Sequence, residues 1–403
     1  MANHAGSGES QRQRRNNYMK LSRLSFIALI GTSVASLTGC GGGHYEDGQL
    51  YGADGSEEED FGSIAQDLST SFSPASDSLK FNNSFKNDFF AGITTSGLCG
   101  GMVYTTLDYF YDPKGVPLQD YRPAVGYGLR DYLYRRQVNS LERNADKWAE
   151  LGFNPNGIRN DEFWRWGLQK TGRVAELRKS LDAGTPVPLG LHACSGCSVG
   201  NHQVLAIGYE LGAYNAAQAG YPDLKIFIYD PSYPKQRRTL RTDLASKRWY
   251  DADNTNRRWL TYFVDGKYTK SVPPSASTPA NGLVVSFYTG NDDLRGGSDN
   301  VNIKVTFKDN TTQTFSNVNR GGRWIDNSAE QVAVSVPTPS NVKSITISTT
   351  FGGGIGGDNW NLNRVVVHDL VTYKTGARRV DKAGAPLLKR FTGDSKTFTV
   401  TLD

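Results

Sequence analysis

Three side chains spread over the middle of the chain have the types needed for nucleophilic catalysis. Cys99 stands in "TTSGLCGGMVYTTLDYF", residues 94–110, followed by two glycines and a helical pattern. A thiol works as thiolate, and its ordinary pKa of about 8.5 must be lowered. A helix N-terminus does this through its unpaired N–H groups and its dipole. Gly100 and Gly101 are poor helix formers, and at the sequence level they read as room for a substrate backbone beside the sulfur. A general base has to come from elsewhere in the fold, oriented by a third group. His202 opens the strand-like run "HQVLAIGYE", and Asp230 closes "KIFIYD". Two neighbouring antiparallel strands would bring those side chains together at one end of a sheet.

A rival use of the same residues lies in "HACSGCSVGNH". Cys194 and Cys197, with His192 and His202, have the density of a zinc site. A local disulfide between Cys194 and Cys197, shaping the loop before His202, is the reading that suits an exported chain.

The elements around these residues follow from periodicity. "GYGLRDYLYRRQVNSLERNADKWAELG" and "RVAELRKSLDAG" are helical in period, with Gly152 and Gly184 as stops. "TPVPLGLHA", "HQVLAIGYE" and "LKIFIYD" are short apolar, β-branched runs typical of buried strands. Residues 79–270 are thus expected to be α+β, with a helical front half followed by a small antiparallel sheet. Lys and Arg cluster in 235–260, but Asp243, Asp251 and Asp253 are interleaved, which reads as a solvated face. Asp251 and Asp253 are secondary candidates for the third catalytic group.

In their order and strand contexts, the glycine-flanked Cys99, "NHQVLAIGYE" and "IYDPSYP" resemble a papain-like cysteine peptidase of the bacteriocin-processing (double-glycine peptidase) type. The resemblance implies Cys99 as nucleophile, His202 as general base and acid, and Asp230 as orienter of the imidazole. It also implies no cofactor. The family usually carries a Gln six residues before the Cys as an oxyanion donor. Ile93 stands there, so the backbone N–H of Cys99 would act with Ser96, Thr95 or Asn87. A lost donor of this kind costs about 2.7–4 kcal/mol of transition-state stabilisation.

A Pro/Ser linker, "SVPPSASTPANG" (271–282), precedes a different pattern. Seven short strand candidates separated by Gly, Asn, Asp and Pro turns, from "GLVVSFYTG" to "KTFTVTLD", argue an all-β sandwich over 283–403. "YTGNDDLRGGSDNVNIKV" and "GGGIGGDNWNLNRVVV" resemble the PLAT (lipoxygenase-homology) sandwich, which implies a lipid or protein ligand. Asp292, Asp293, Asp299 and Asp358 are loop carboxylates that calcium could use, or plain turn formers. The glycine run 352–357 lacks the Lys-Ser/Thr ending of a phosphate loop and reads as a turn.

The first 39 residues read as a secretory signal, basic from Met19 and then apolar from Leu24. "LTGC" at 37–40 resembles a bacterial lipobox, which implies lipidation of Cys40 and a chain anchored at the cell envelope outside the cytoplasm. Residues 40–78, rich in Gly and acid, are expected to be a tether. The chain carries +5 as written, and removing residues 1–39 leaves 40 basic and 39 acidic residues. Nothing in that balance supports a nucleic-acid partner. The expected activity is hydrolysis of peptide or other amide bonds. A non-catalytic surface binding protein and a Cys-His-Asp acyltransferase are the alternatives.

Overall fold

The computed structural model describes residues 67–89, 93–194, 200–275, 278–351 and 357–402. The leader, Cys40, most of the tether, Cys197 and most of the 352–357 glycine run lie outside the described residues.

Strand β1 (Asp67–Ser69) and the single turn α1 (Pro74–Asp77) come first, so order begins before Leu79, where the sequence reading placed it. A hairpin follows, β2 (Lys86–Phe89) with β3 (Ile93–Ser96), in which Asn87 pairs with Thr95. Next come the helices α2 (Cys99–Phe110), α3 (Gly128–Arg143), α4 (Ala145–Gly152), α5 (Asn160–Trp166) and α6 (Arg173–Leu181). The expected single helix over 126–152 is broken at Asn144, whose φ of −111° and ψ of 18° leave the helical region. Asn144 caps the break by donating from Nδ2 to the Ser140 carbonyl at 2.9 Å.

Seven strands then follow: β4 (Val187–His192), β5 (His202–Glu210), β6 (Lys225–Tyr229), β7 (Arg237–Asp243), β8 (Arg248–Asp251), β9 (Asn254–Trp259) and β10 (Thr261–Val264). Their order is β10-β4-β5-β6-β7-β8-β9, and β1 adds to β5 beyond the end of β4, making one antiparallel sheet of eight. This is larger than the small sheet expected. The basic stretch 235–260 forms three of its strands; Lys235, Arg237, Arg241, Lys247 and Arg258 are exposed, as a solvated face requires, while Arg238 is buried against Asp251.

Helix α2 lies on β5, with Val103 and Leu107 packed among Leu205, Ile207, Phe227 and Tyr229. Its far end is held by Asp108, a buried carboxylate that accepts from Arg136, Tyr132 and Tyr268. The helix that begins at Cys99 is therefore fixed along its length.

The C-terminal part is an antiparallel β-sandwich. Its strands are β11 (Leu283–Thr289), β12 (Val301–Phe307), β13 (Thr312–Phe315), β14 (Ala329–Val334), β15 (Val342–Thr349), β16 (Trp360–Asp369), β17 (Val380–Ala383), β18 (Lys389–Phe391) and β19 (Thr397–Thr401). All seven expected strands form; the polar β17 and β18 are additional. One sheet runs β14-β11-β16-β17, with β18 also on β16, and the other runs β13-β12-β15-β19. Alternate residues of the central strands, such as β12 and β15, face a shared core, as a two-sheet sandwich requires. At its centre Phe287 lies tilted on Trp324, Trp324 meets Trp360 edge-on, and Trp360 stacks on Phe391.

Residues 121–127 join the two parts. Ala124 is buried in the sandwich core, Arg122 N–H donates to Gln331 Oε1 at 2.8 Å, and Val125 N–H donates to Glu330 Oε2 at 3.1 Å. Tyr127 donates to the Val318 carbonyl at 3.0 Å, and Arg323 pairs with Asp88 at 2.9 Å. The linker at 271–282 thus separates the two parts in sequence but not in packing.

Candidate functional site

His202 and Asp230 meet at one end of the large sheet. β5 and β6 run side by side from the Leu205–Tyr229 pair, so the first residue of one strand and the residue just after the other come together. His202 Nε2 lies 2.7 Å from Asp230 Oδ1, and both side chains are buried. His202 Nδ1 has no hydrogen-bond partner. The imidazole is therefore tethered through one nitrogen while the other is left to act, which is the division of labour a general base needs. Trp259 lies nearly parallel to the imidazole at 6.3 Å between centroids, and its Nε1 donates to the Gly200 carbonyl at 3.0 Å.

Asp230 has further partners. Oδ1 also accepts from Ser232 N–H at 2.8 Å, and Oδ2 accepts from Arg257 at 2.5 Å. Burial alone would push this carboxyl up. His202, the Arg257 charge and the two hydrogen bonds on Oδ1 outweigh it and hold the group well below the usual carboxylate range. Arg257 also reaches Asp251 at 3.3 Å, and Asp251 takes two bonds from Arg238 at 2.7 and 2.9 Å. Sequence reasoning missed Arg257 and Arg238. Asp251 is buried in this network rather than on the imidazole, while Asp253 is largely exposed and touches only the edge of it, at 4.0 Å from Arg238.

Cys99 is the first residue of α2, as its glycine-flanked context suggested, and is buried. Two expectations about it need correction. The sulfur is in a disulfide, as is that of Cys194, so neither is a thiolate in this state. No free cysteine is found among the described residues. The two glycines, moreover, do not open space for a substrate. A Cβ on Gly100 would lie 1.8 Å from Gln203 Oε1, and one on Gly101 would lie 2.1 Å from the Leu133 carbonyl oxygen. Glycine is required there so that β5 and α3 can press against the head of α2. The Gly100 contact also places residue 99 close to the residue that follows His202.

Asn87 does not point a free amide at the site. Its Nδ2 donates to the Gly97 carbonyl at 2.9 Å and its Oδ1 accepts from Arg130 at 2.7 Å, so it holds the turn before Cys99. Ser96 is exposed at the end of β3, and Thr95 lies within that strand. Gly101 N–H is taken by Gln137 Oε1 at 2.8 Å.

The two histidines of the zinc alternative, His192 and His202, do not come together. Leu191 pairs with His202 across β4 and β5, so His192, one residue on, faces the opposite side of the sheet. Burial pushes the His192 imidazole down to about 4. No metal-binding group of three or more His, Cys, Asp or Glu occurs among the described residues. The calcium candidates are engaged with cations: Asp292 with Arg390 at 3.0 Å, Asp358 with Arg295 at 3.2 Å, and Asp293 with Arg323. Asp299 accepts from the Asp358 N–H at 3.4 Å.

No protein-family model matches the chain, and no curated protein matches it. Among solved structures, it is similar over 30% of its length to 16% of a lipoxygenase, the Delta413-417:GS variant of LOX, at 18% identity and a TM-score of 0.24. It is similar over 33% of its length to 35% of the alpha-toxin of Clostridium perfringens avian strain SWCP, at 16% identity and a TM-score of 0.24. The alpha toxin of Clostridium absonum gives 17% identity over 32% of this chain and 33% of that one, again at 0.24. The chain thus spans about a sixth to a third of these proteins, a likeness too slight to carry an argument. No helix of the described residues is long and apolar enough to cross a membrane.

Proposed function

We propose that the chain is a papain-like cysteine hydrolase that cleaves peptide or other amide bonds outside the cytoplasm. The observation that carries this reading is the buried 2.7 Å contact of His202 Nε2 with Asp230 Oδ1, with Nδ1 left unpartnered. A dithiol reductant opens the Cys99 disulfide and is itself oxidised. The Cys99 thiolate then attacks the carbonyl carbon, while its own N–H stabilises the oxyanion. His202 takes the proton of the reduced Cys99 thiol and delivers it to the leaving amine; it later takes one from the water that hydrolyses the thioester and returns it to the departing Cys99 sulfur. In this reading Cys40 carries the lipid anchor, and the oxidised state of Cys99 and Cys194 fits an oxidising compartment. The sandwich, read as PLAT-like, serves as a docking module for a lipid surface or protein partner.

A second reading, a non-catalytic binding protein on the same fold, is favoured by the oxidised Cys99. An acyltransferase would use the same three residues with an amine or alcohol in place of water. Alkylation with iodoacetamide at mildly acidic pH, after mild dithiol reduction, separates enzyme from binder. The hydrolase reading expects Cys99 to react far faster than a free thiol and His202→Ala to abolish the difference. Ordinary thiol kinetics in the reduced wild type would overturn it.

A further inference from the structure

Among the strands of the large sheet, four charged side chains form a connected group behind the imidazole: Asp230, Arg257, Asp251 and Arg238. Two are acids and two are bases, and Asp230, Asp251 and Arg238 are almost wholly buried. Arg257 is the link, with one nitrogen 2.5 Å from Asp230 Oδ2 and 3.3 Å from Asp251 Oδ2. Its guanidinium also lies 5.2 Å from the Tyr233 and Trp259 rings, which limits where it can swing. A buried carboxylate with only an imidazole for company could turn either oxygen to it. With Oδ2 committed to Arg257 and Oδ1 to Ser232 N–H, a single orientation remains.

We propose that Arg257 is a positioning residue: by holding Asp230 Oδ2 it aims Oδ1 at His202 Nε2 and so fixes Nδ1 as the nitrogen free for proton transfer. This rests on the hydrolase reading for its consequence in catalysis, but the positioning itself does not depend on Cys99. The groups facing the pair are Asp230, Ser232 N–H, Arg257 and Trp259, with Asp251, Arg238 and Tyr233 behind Arg257. No other charged side chain contacts the Asp230 carboxylate among the described residues.

The test is proton NMR of the intact folded protein, assigned with His202→Gln. The N–H that His202 donates to Asp230 should give a downfield resonance. In Arg257→Gln that resonance should broaden or shift, and Arg257→Lys should restore it in part. After dithiol reduction, the alkylation rate of Cys99 should fall roughly tenfold in Arg257→Gln, the scale on which outer hydrogen-bond partners act. An unchanged His202 resonance in a folded Arg257→Gln protein would overturn the proposal. If Arg257→Gln does not fold, Asp251→Asn loosens Arg257 from its other side, and an unshifted resonance there has the same force. A shifted resonance with slow, ordinary Cys99 alkylation in the wild type would leave the positioning standing and remove the hydrolase.

Discussion

A Cβ added to Gly101 would meet the backbone carbonyl oxygen of Leu133 at 2.1 Å. Two helices therefore touch where α2 begins, and the contact is with backbone, which cannot swing aside. Gly101→Ala should cost about 3 kcal/mol or more, the upper range for overpacking a fixed core. Gly100→Ala meets the side chains of Gln203 and Ser140 instead, and should cost less because side chains can give. Urea unfolding of the two variants checks the order; equal, small losses would mean that α2 and α3 have slack.

Asp230 makes acid sensitivity a test of the candidate site. Its folded pKa is depressed, so its contribution is present in full above the unfolded value of about 3.9 and is lost as pH falls below it toward the folded pKa. Asp230→Asn should destabilise the protein by about 3–5 kcal/mol at pH 7, because it breaks a buried pair and leaves Arg257 without its nearest anion. The gap between variant and wild type should narrow steadily below pH 4. A gap independent of pH would show that Asp230 is not ionised in the folded state.

His192 gives a second titration with a different window. The unfolded imidazole takes up a proton near pH 6.5, while burial holds the folded one at about 4. Between those values the unfolded state binds more protons, so stability falls with falling pH and levels off below about 4. The loss should amount to about 3 kcal/mol. Unfolding free energies between pH 7 and 4 should show this step in the wild type and lose it in His192→Gln. An NMR titration that protonates His192 near pH 6.5 would contradict the expectation.

Cutting the chain between residues 278 and 282 should not separate its two parts. The sandwich core contains Ala124, and the 121–127 strap is hydrogen-bonded to Gln331, Glu330 and Val318. Limited proteolysis followed by size exclusion under native conditions should give one peak holding both fragments. Two peaks would mean that the strap contributes little.

Where local pattern governed, the chain could be read directly. Seven sandwich strands were legible because inward and outward residues alternate between clear turns, as in Val301, Ile303 and Val305 of β12. The pairing of His202 with Asp230 was legible because each lies at an end of a short apolar run. Arg257 was not. It sits among charges, and charges alternating along a strand look like a surface until their partners on other strands are known. Arg238 and Asp251 are buried, and Arg257 half-buried, by pairing across β7, β8 and β9, which no local window contains. The glycines after Cys99 failed for a related reason: the residue type was noticed, but what filled the gap came from residues 133 and 203.

The strap has a consequence for how one part of the protein depends on the other. Ala124 is part of the sandwich core, and its neighbours in the strap bond to Gln331, Glu330 and Val318, some 200 residues further along the chain. The strap leads straight into α3, whose Leu133 and Gln137 bear on the first turn of α2. The head of α2 is therefore braced, through the strap and α3, by the sandwich. A chain without the sandwich would leave the strap's bonds to Gln331, Glu330 and Val318 unmade, so the frame around Cys99 leans on a part of the protein that carries none of the three candidate catalytic residues.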